Sequence, residues 1–332
     1  MKARALPGRS GRPGRTLELT ELGFGGAQIG NLYRVTGEEE AADAVRAAWE
    51  AGIRYFDTAP HYGLGLSERR LGAALRALPR DQFVLSSKVG RLLEPTGRSD
   101  QPDPEGFAVP ATTRRVRDYS RDGVRRSIEA SLERLGLDRI DVALIHDPDD
   151  HLTQALGEAA PALSQLRDEG VIGAYGAGMN QSAALTRFVR ETDADVVMLA
   201  GRYTLLEQPA LADLLPVALE RGVGVINVGV YNSGLLARPR PATGASYNYA
   251  AAPAELIARA HRIADVCERH GTTLPVAALA FGLRHPAVVG VALGLRNRAQ
   301  VEESIERYRA PVPPALWAEL GEAGLIPAEV VP

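Results

Sequence analysis

The strongest constraint on the fold of this chain is an alternation. Short apolar or β-branched runs, each followed by a segment of helical periodicity, recur eight times between residues 22 and 308. The runs begin with Leu22-Gly23-Phe24-Gly25-Gly26 and continue at 53–57, 83–88, 140–146, 171–176, 195–199, 223–229 and 288–291. Between them, Thr36 and Glu39 make a capping-box start, and Val45, Ala48, Trp49 and Gly52 then share one helical face. Val124, Ile128, Leu132 and Leu135 form another stripe, and further helices are expected at 67–78, 153–169, 180–190, 209–221, 254–270, 275–284 and 297–308. Strands separated by helices pair in parallel, because a parallel connection must cross back over the sheet. Eight such units without a break in composition favour a single closed (β/α)8 TIM barrel over a doubly wound open sheet. No glycine-rich GxGxxG opens a helix after the first run, which further disfavours the open dinucleotide fold. Two connections, 89–119 and 230–253, are too long for plain turns; both follow strands, so both are expected to overhang the C-terminal face.

Composition narrows the function classes. Hydrophobic residues make up 45% and charged residues 24%, as in ordinary globular proteins. A net charge of −3 provides no field to recruit nucleic acid or an anionic membrane. Neither a long uncharged apolar run nor a signal-peptide core is present, so a spanning or secreted protein is not expected. Cys267 stands alone, can form no internal disulfide, and fits a reducing cytoplasm. Residues 1–16, basic and rich in proline and glycine, read as a mobile leader ahead of one domain over 17–332. The oligomeric state is not legible.

The chemistry concentrates in the stretch 53–72, where an apolar strand ends at Asp57 and a loop carries His61 and Tyr62 before a helix opens near Ser67. A carboxylate at the end of a buried strand needs a cation, because burying an unpaired charge costs several kcal/mol or more. Composition points to that cation: among 38 basic residues, lysine occurs only at Lys2 and Lys88. Lys88 ends the third run, a position that demands a compact ammonium where arginine is used almost everywhere else. His146 ends the fourth run. In a barrel the ends of strands two, three and four ring one mouth, which is where active sites form. Each residue has a bland reading: a strand-bracing ion pair, a capped rim histidine, a surface tyrosine. Their convergence outweighs those readings. The acidic run His146-Asp147-Pro148-Asp149-Asp150-His151 is a weaker rival, a metal site, because consecutive side chains point in different directions.

Asp57-x4-Tyr62-Gly63, Ser67-Glu68 opening a helix, Lys88 and His146 together resemble the aldo-keto reductase superfamily, over about residues 17 to 310. Among its branches, Leu22-Gly23-Phe24-Gly25-Gly26-Ala27, the turn at 176–181 and Val230-Tyr231-Asn232-Ser233-Gly234-Leu235-Leu236 look most like the bacterial L-fucose-type (D-threo-aldose) 1-dehydrogenases and the related pyridoxal 4-dehydrogenases. The resemblance implies a catalytic tetrad of Asp57, Tyr62, Lys88 and His146, with Lys88 lowering the Tyr62 phenol from its ordinary value near 10 and Asp57 holding the lysine. It also implies NAD or NADP, since no side chain carries a hydride. Asn180 matches an asparagine that binds the nicotinamide carboxamide, preceded by Met179 where a serine is usual; Ala200 stands near the position of a usual glutamine. Tyr231 is the nearest aromatic residue to the position that stacks on the ring, with Asn232 and Gly234 beside it. Gly294, Arg296, Gln300 and Glu303 lie where the last strand turns into a helix, a natural anion site. Arg296 and Arg298 are candidates for a 2′-phosphate, against the alternative of a solvated helix start. NAD and NADP stay open.

The expected activity is oxidation of an aldose at C1 to the lactone, with Tyr62 as proton acceptor. Pyridoxal oxidation, a general aldehyde or ketone reductase, and a nucleotide-sensing regulatory barrel are the alternatives. The partner is a small molecule. Arg91, Tyr119, Tyr247 and Tyr249 in the long connections are weaker candidates for substrate contact.

Overall fold

In the computed structural model of the protein, which describes residues 1–7, 16–97, 101–242, 244–248 and 250–328, eight parallel strands close into a barrel in chain order. They are β1 (Leu22–Gly25), β2 (Tyr55–Asp57), β3 (Val84–Val89), β4 (Ile140–His146), β5 (Ile172–Met179), β6 (Val196–Ala200), β7 (Gly224–Val228) and β8 (Val288–Gly294). The helices expected between them are α1 (Glu38–Glu50), α2 (Leu66–Leu75), α3 (Arg121–Leu135), α4 (Ala160–Asp168), α5 (Ser182–Glu191), α6 (Leu214–Arg221), α7 (Ala254–Arg269), α8 (Leu274–Gly282) and α9 (Arg298–Arg309). A further helix, α10 (Pro314–Glu322), follows α9 and packs against α7. Among the described residues no helix is long and apolar enough to cross a membrane.

Apolar burial falls into two layers. Between strands and helices lies the larger layer, with Phe24, Phe56, Phe83, Val197 and Phe188 among its members. Inside the barrel, Tyr55, Val84, Leu144, Val196, Met198 and Ile226 fill the lumen, as alternation along each strand requires. Room for the Tyr55 ring comes from Gly23 on the neighbouring strand, where a Cβ would lie 2.3 Å from the ring. The lumen is therefore packed, and chemistry is left to its rim.

Several expectations change. Ala3–Ala5, assigned to a mobile leader, pairs antiparallel with Glu18–Thr20, and Leu6, Leu17 and Leu19 join the lumen cluster, closing the lower end of the barrel. Residues 8–15 of that leader lie outside the described residues. Thr36 does not cap α1, which starts after Gly37 without a side-chain cap. Its hydroxyl instead donates to the Gln28 carbonyl at 3.2 Å and accepts from Arg296. Of the two long connections, the first is built on an antiparallel ribbon, Arg91–Pro95 with Thr113–Arg117. The second contains a short pairing of Ser246–Tyr247 with Ala250–Ala251.

Candidate active site

The barrel register sets the geometry. Asp57 lies opposite Ser86 on β3, and Lys88 opposite Leu144 on β4, so Asp57 and Lys88 meet across the β2–β3 boundary. The Lys88 ammonium donates to the two carboxylate oxygens of Asp57 at 2.8 and 2.7 Å and to the Thr58 carbonyl at 3.0 Å. Ser86 Oγ donates to Asp57 Oδ1 at 2.7 Å, and the Tyr55 hydroxyl is 2.9 Å from Ser86 Oγ. This support went unremarked in the sequence, yet period two along each strand carries its signal: Tyr55 shares a face with Asp57, and Ser86 with Lys88.

Tyr62 is brought to the pair by the loop after β2. Gly63 holds a left-handed φ of 63°, and a Cβ there would lie 2.1 Å from the Gly30 carbonyl; a Cβ on Gly30 would lie 2.9 Å from the Tyr62 backbone. Two glycines thus let the β1 and β2 loops touch. The Lys88 nitrogen lies 4.7 Å from the centre of the Tyr62 ring. The His146 ring meets Tyr62 edge-on with centroids 5.8 Å apart, and His61 and Phe107 complete an aromatic wall, 5.4 Å from His146 and 6.2 Å from Tyr62 respectively.

Electrostatics correct one expectation. Burial pushes the Tyr62 phenol up to about 12, and the Lys88 ammonium offsets only part of that rise. The phenol is therefore protonated at neutral pH and is a proton donor in this state. Burial alone would lower Lys88, but Asp57 beside it dominates and its value is raised, so the ammonium stays charged. Burial, then Arg91 and Lys88, hold His146 well below the ordinary imidazole range. His61 falls to about 2 for the same first reason, with Arg91 and Arg115 adding to it. Both imidazoles are neutral.

The rim is held by the first long connection. Arg115 donates to the His61 carbonyl at 2.8 Å and to both Asp103 oxygens at 2.6 and 2.8 Å. Tyr119, a weak candidate for substrate contact, is buried and donates to the carbonyls of His146 and Asp147 at 2.8 and 3.0 Å, so it braces the strand end. Tyr247 donates to Glu207 at 2.6 Å. Tyr249 lies outside the described residues. Among the described residues, no three or more of His, Cys, Asp and Glu are grouped as a metal would need.

The residues expected to hold a dinucleotide fall on the opposite arc of the same mouth. Asn180 is half-buried, one residue past the end of β5. Asn232, at a left-handed φ of 46°, is buried with an Oδ1 that meets no partner. Gln28 also has a buried, unpartnered Oε1, and its carboxamide fills the space over Gly294, where a Cβ would come within 2.3 Å. Orphaned acceptors on either side of β8 suit a ligand rich in hydroxyl donors, as a dinucleotide is. Asn297 caps α9 by accepting from the Gln300 amide at 3.1 Å, and Gln300 Oε1 accepts from the Arg296 amide at 2.9 Å. One face of the Tyr231 ring is taken by Arg307, whose guanidinium is 5.5 Å from the ring centre.

The two arginines weighed for a 2′-phosphate make contacts within the protein. Arg296 is buried and donates to the carbonyls of Leu32 and Arg34 at 2.6 and 3.0 Å as well as to Thr36. Arg298 is tied to Asp43 at 2.8 Å and Glu50 at 3.1 Å on α1. Both guanidiniums hold α9 against the β1–α1 segment. Glu303 pairs with Arg307 one turn along α9, and Gly234 is exposed at φ 97°.

A protonated phenol beside an ammonium, with a neutral imidazole facing it, suits reversible proton transfer to a substrate oxygen. That is the part of a carbonyl–alcohol interconversion that side chains can supply. The comparison with known families agrees: the model described as the aldo/keto reductase family matches residues 21–324, and the chain belongs to that family. It is an oxidoreductase of a class that uses a nicotinamide cofactor. It is similar to a D-threo-aldose 1-dehydrogenase of a Pseudomonas species, 49% identical over 94% of this chain and 96% of that one. It is 40% identical to a pyridoxal 4-dehydrogenase of Microbacterium luteolum, over 94% and 96% of the two chains. The fold matches the holo form of an aldo-keto reductase from Bacillus halodurans with a TM-score of 0.73, 26% identity, and coverage of 97% and 96%.

Proposed function

We propose that the protein oxidises an aldose at C1 to the aldonolactone, with NAD as the acceptor. What carries the substrate reading is the 49% identity to an aldose 1-dehydrogenase along nearly the whole of both chains. It is supported by a rim where four groups with distinct proton chemistry meet. The bound nicotinamide supplies the hydride-accepting ring. Tyr62 accepts the proton of the C1 hydroxyl as the hydrogen on C1 leaves with its electron pair. Lys88 stabilises the phenolate this requires, Asp57 keeps Lys88 charged and in place, and neutral His146 donates a hydrogen bond that orients the reacting oxygen. In the reverse direction the same phenol donates.

The preference for NAD rests on Arg296 and Arg298, both already committed. Asn180, Asn232, Gln28 and the capped start of α9 would hold the dinucleotide, with Gly294 leaving space for the Gln28 carboxamide. The single, buried Cys267 fits a reducing compartment, and we place the enzyme in the cytoplasm. Oxidation of pyridoxal is the second reading, favoured by the 40% identity to a pyridoxal 4-dehydrogenase; its hemiacetal presents the same chemistry to Tyr62.

The test is absorbance at the reduced-nicotinamide band, with each nucleotide separately, on L-fucose, L-galactose, D-arabinose, pyridoxal and simple aldehydes. Turnover of at least one sugar with NAD⁺ is expected. Inertness towards all three sugars refutes the substrate reading.

A further inference from the structure

We propose that Arg91 and Asp147 form a subsite that reads the hydroxyl groups next to the carbon being oxidised, a proposal that rests on the aldose reading above. Arg91 follows β3 by two residues and Asp147 follows β4 by one, so both stand at the rim beside Lys88 and His146. Arg91 Nη2 donates to Asp147 Oδ2 at 2.7 Å, and that oxygen lies 3.6 Å from His146 Nε2. The pair is thus in contact with the imidazole that faces Tyr62.

Three observations separate it from an ordinary bracing ion pair. Asp147 adopts a left-handed φ of 40°, a conformation costly for a residue other than glycine and concentrated at functional sites. Its placement is enforced from behind: Tyr119 holds the carbonyls of both His146 and Asp147, and the Tyr119 ring fills the space over Gly90, where a Cβ would lie 2.2 Å away. Second, the Arg91 side chain is 9% exposed, yet its Nε is buried without a partner, and its Nη1 reaches no nearer than 3.9 Å to Glu105. A buried guanidinium N–H left unpaired is a standing penalty that a ligand oxygen would relieve. Third, the Asp147 side chain is 39% exposed and its Oδ1 accepts no hydrogen bond among the described residues, so one carboxylate oxygen is left to accept.

A donor from Arg91 and an acceptor from Asp147, fixed side by side, match adjacent hydroxyls, each of which donates and accepts. A polyhydroxy substrate with C1 at Tyr62 and His146 presents its C2 and C3 hydroxyls to this pair. A simple aldehyde leaves the Arg91 Nε–H and Asp147 Oδ1 without partners. The pair would therefore favour sugars, and one arrangement of their hydroxyls, over unsubstituted carbonyls.

The experiment compares an aldose accepted by the wild-type holoenzyme with its 2-deoxy counterpart, in wild type, Arg91→Met and Asp147→Asn. Wild type is expected to favour the full sugar. Loss of a charge-assisted hydrogen bond corresponds to roughly 10–100-fold, so each variant should raise KM for the full sugar by about that factor. The constants for the 2-deoxy sugar should move little, and the discrimination should collapse. Asp147→Asn is isosteric and keeps the test valid if Arg91→Met does not fold. Equal losses on both sugars would mean that the pair only positions His146, and that result overturns the proposal. So does a wild type that treats the two sugars alike. A wild type that oxidises no aldose refutes the underlying reading, and the subsite falls with it.

Discussion

The Lys88 ammonium lies within 2.8 Å of both carboxylate oxygens of Asp57, and the two side chains are 2% and 5% exposed. A pair this dry is held by mutual compensation, since removing one partner strands the other as an uncompensated charge. Asp57→Asn should therefore cost about 3–5 kcal/mol of stability and release Lys88 to lose its proton. Denaturant unfolding of Asp57→Asn beside wild type measures the first effect, and turnover should fall at least tenfold in parallel. A variant as stable and active as wild type would mean that the pair has no such role.

The phenol of Tyr62, pushed up to about 12, sets the sign of the pH dependence. A raised value keeps the donor form filled and the acceptor form scarce. Oxidation should therefore accelerate with pH across the neutral and alkaline range, close to tenfold per pH unit while the phenolate population limits the rate. Reduction should lose rate only at the alkaline end. His146 and His61 are held neutral by burial and nearby cations, so no imidazole limb should appear between pH 5 and 8. A profile of oxidation kcat/KM against pH checks both statements.

Arg296 reaches the carbonyls of Leu32 and Arg34, and Arg298 reaches Asp43 and Glu50, so the two arginines join α9 to the β1–α1 segment. Arg296→Ala should lower the melting temperature by several degrees, in line with a loss of about 2 kcal/mol. It should not change the ratio of NAD⁺ to NADP⁺ affinity. Isothermal titration with each nucleotide reads that ratio; a selective loss of NADP⁺ affinity would return the arginine to the phosphate site.

Gly72 on α2 backs onto α3, where a Cβ would lie 1.9 Å from the Leu135 carbonyl. A backbone atom cannot swing aside as a side chain does. Gly72→Ala should force the helices apart and cost about 1–3 kcal/mol, visible as a lower denaturation midpoint with the tetrad chemistry otherwise intact.

Periodicity carried much of the fold. Each of the eight apolar runs falls on a barrel strand, because a strand buried on both faces must be apolar throughout and has few other places to go. Asp57, Lys88 and His146 were legible for the complementary reason that they interrupt such runs. What pattern missed is what long-range contacts decide. Ala3–Ala5 is too short and too flanked by proline and glycine to announce a strand, and it is ordered by pairing with Glu18–Thr20. The ribbon from Arg91 to Arg117 has one arginine on its first strand and three on its second, and no apolar alternation. Pro313 and Pro314 hide the start of α10, though proline suits a first helical turn. At the start of α9, a turn into a helix with two arginines resembled a phosphate site; the carbonyls and hydroxyl that Arg296 engages come from residues some 260 positions earlier. Lys88 beside Tyr62 suggested a lowered phenol, but burial, which composition does not reveal, outweighs the charge.

In the proposed reaction the Tyr62 hydroxyl moves the proton, and a nicotinamide held at the mouth would supply the hydride-accepting ring. The most direct measurement is turnover of Tyr62→Phe on the best aldose, at saturating NAD⁺, alongside NAD⁺ affinity by protein fluorescence quenching. A loss of kcat of about 10²–10⁴-fold is expected, with affinity for the nucleotide within a fewfold of wild type. Turnover within tenfold of wild type would mean that another group moves the proton.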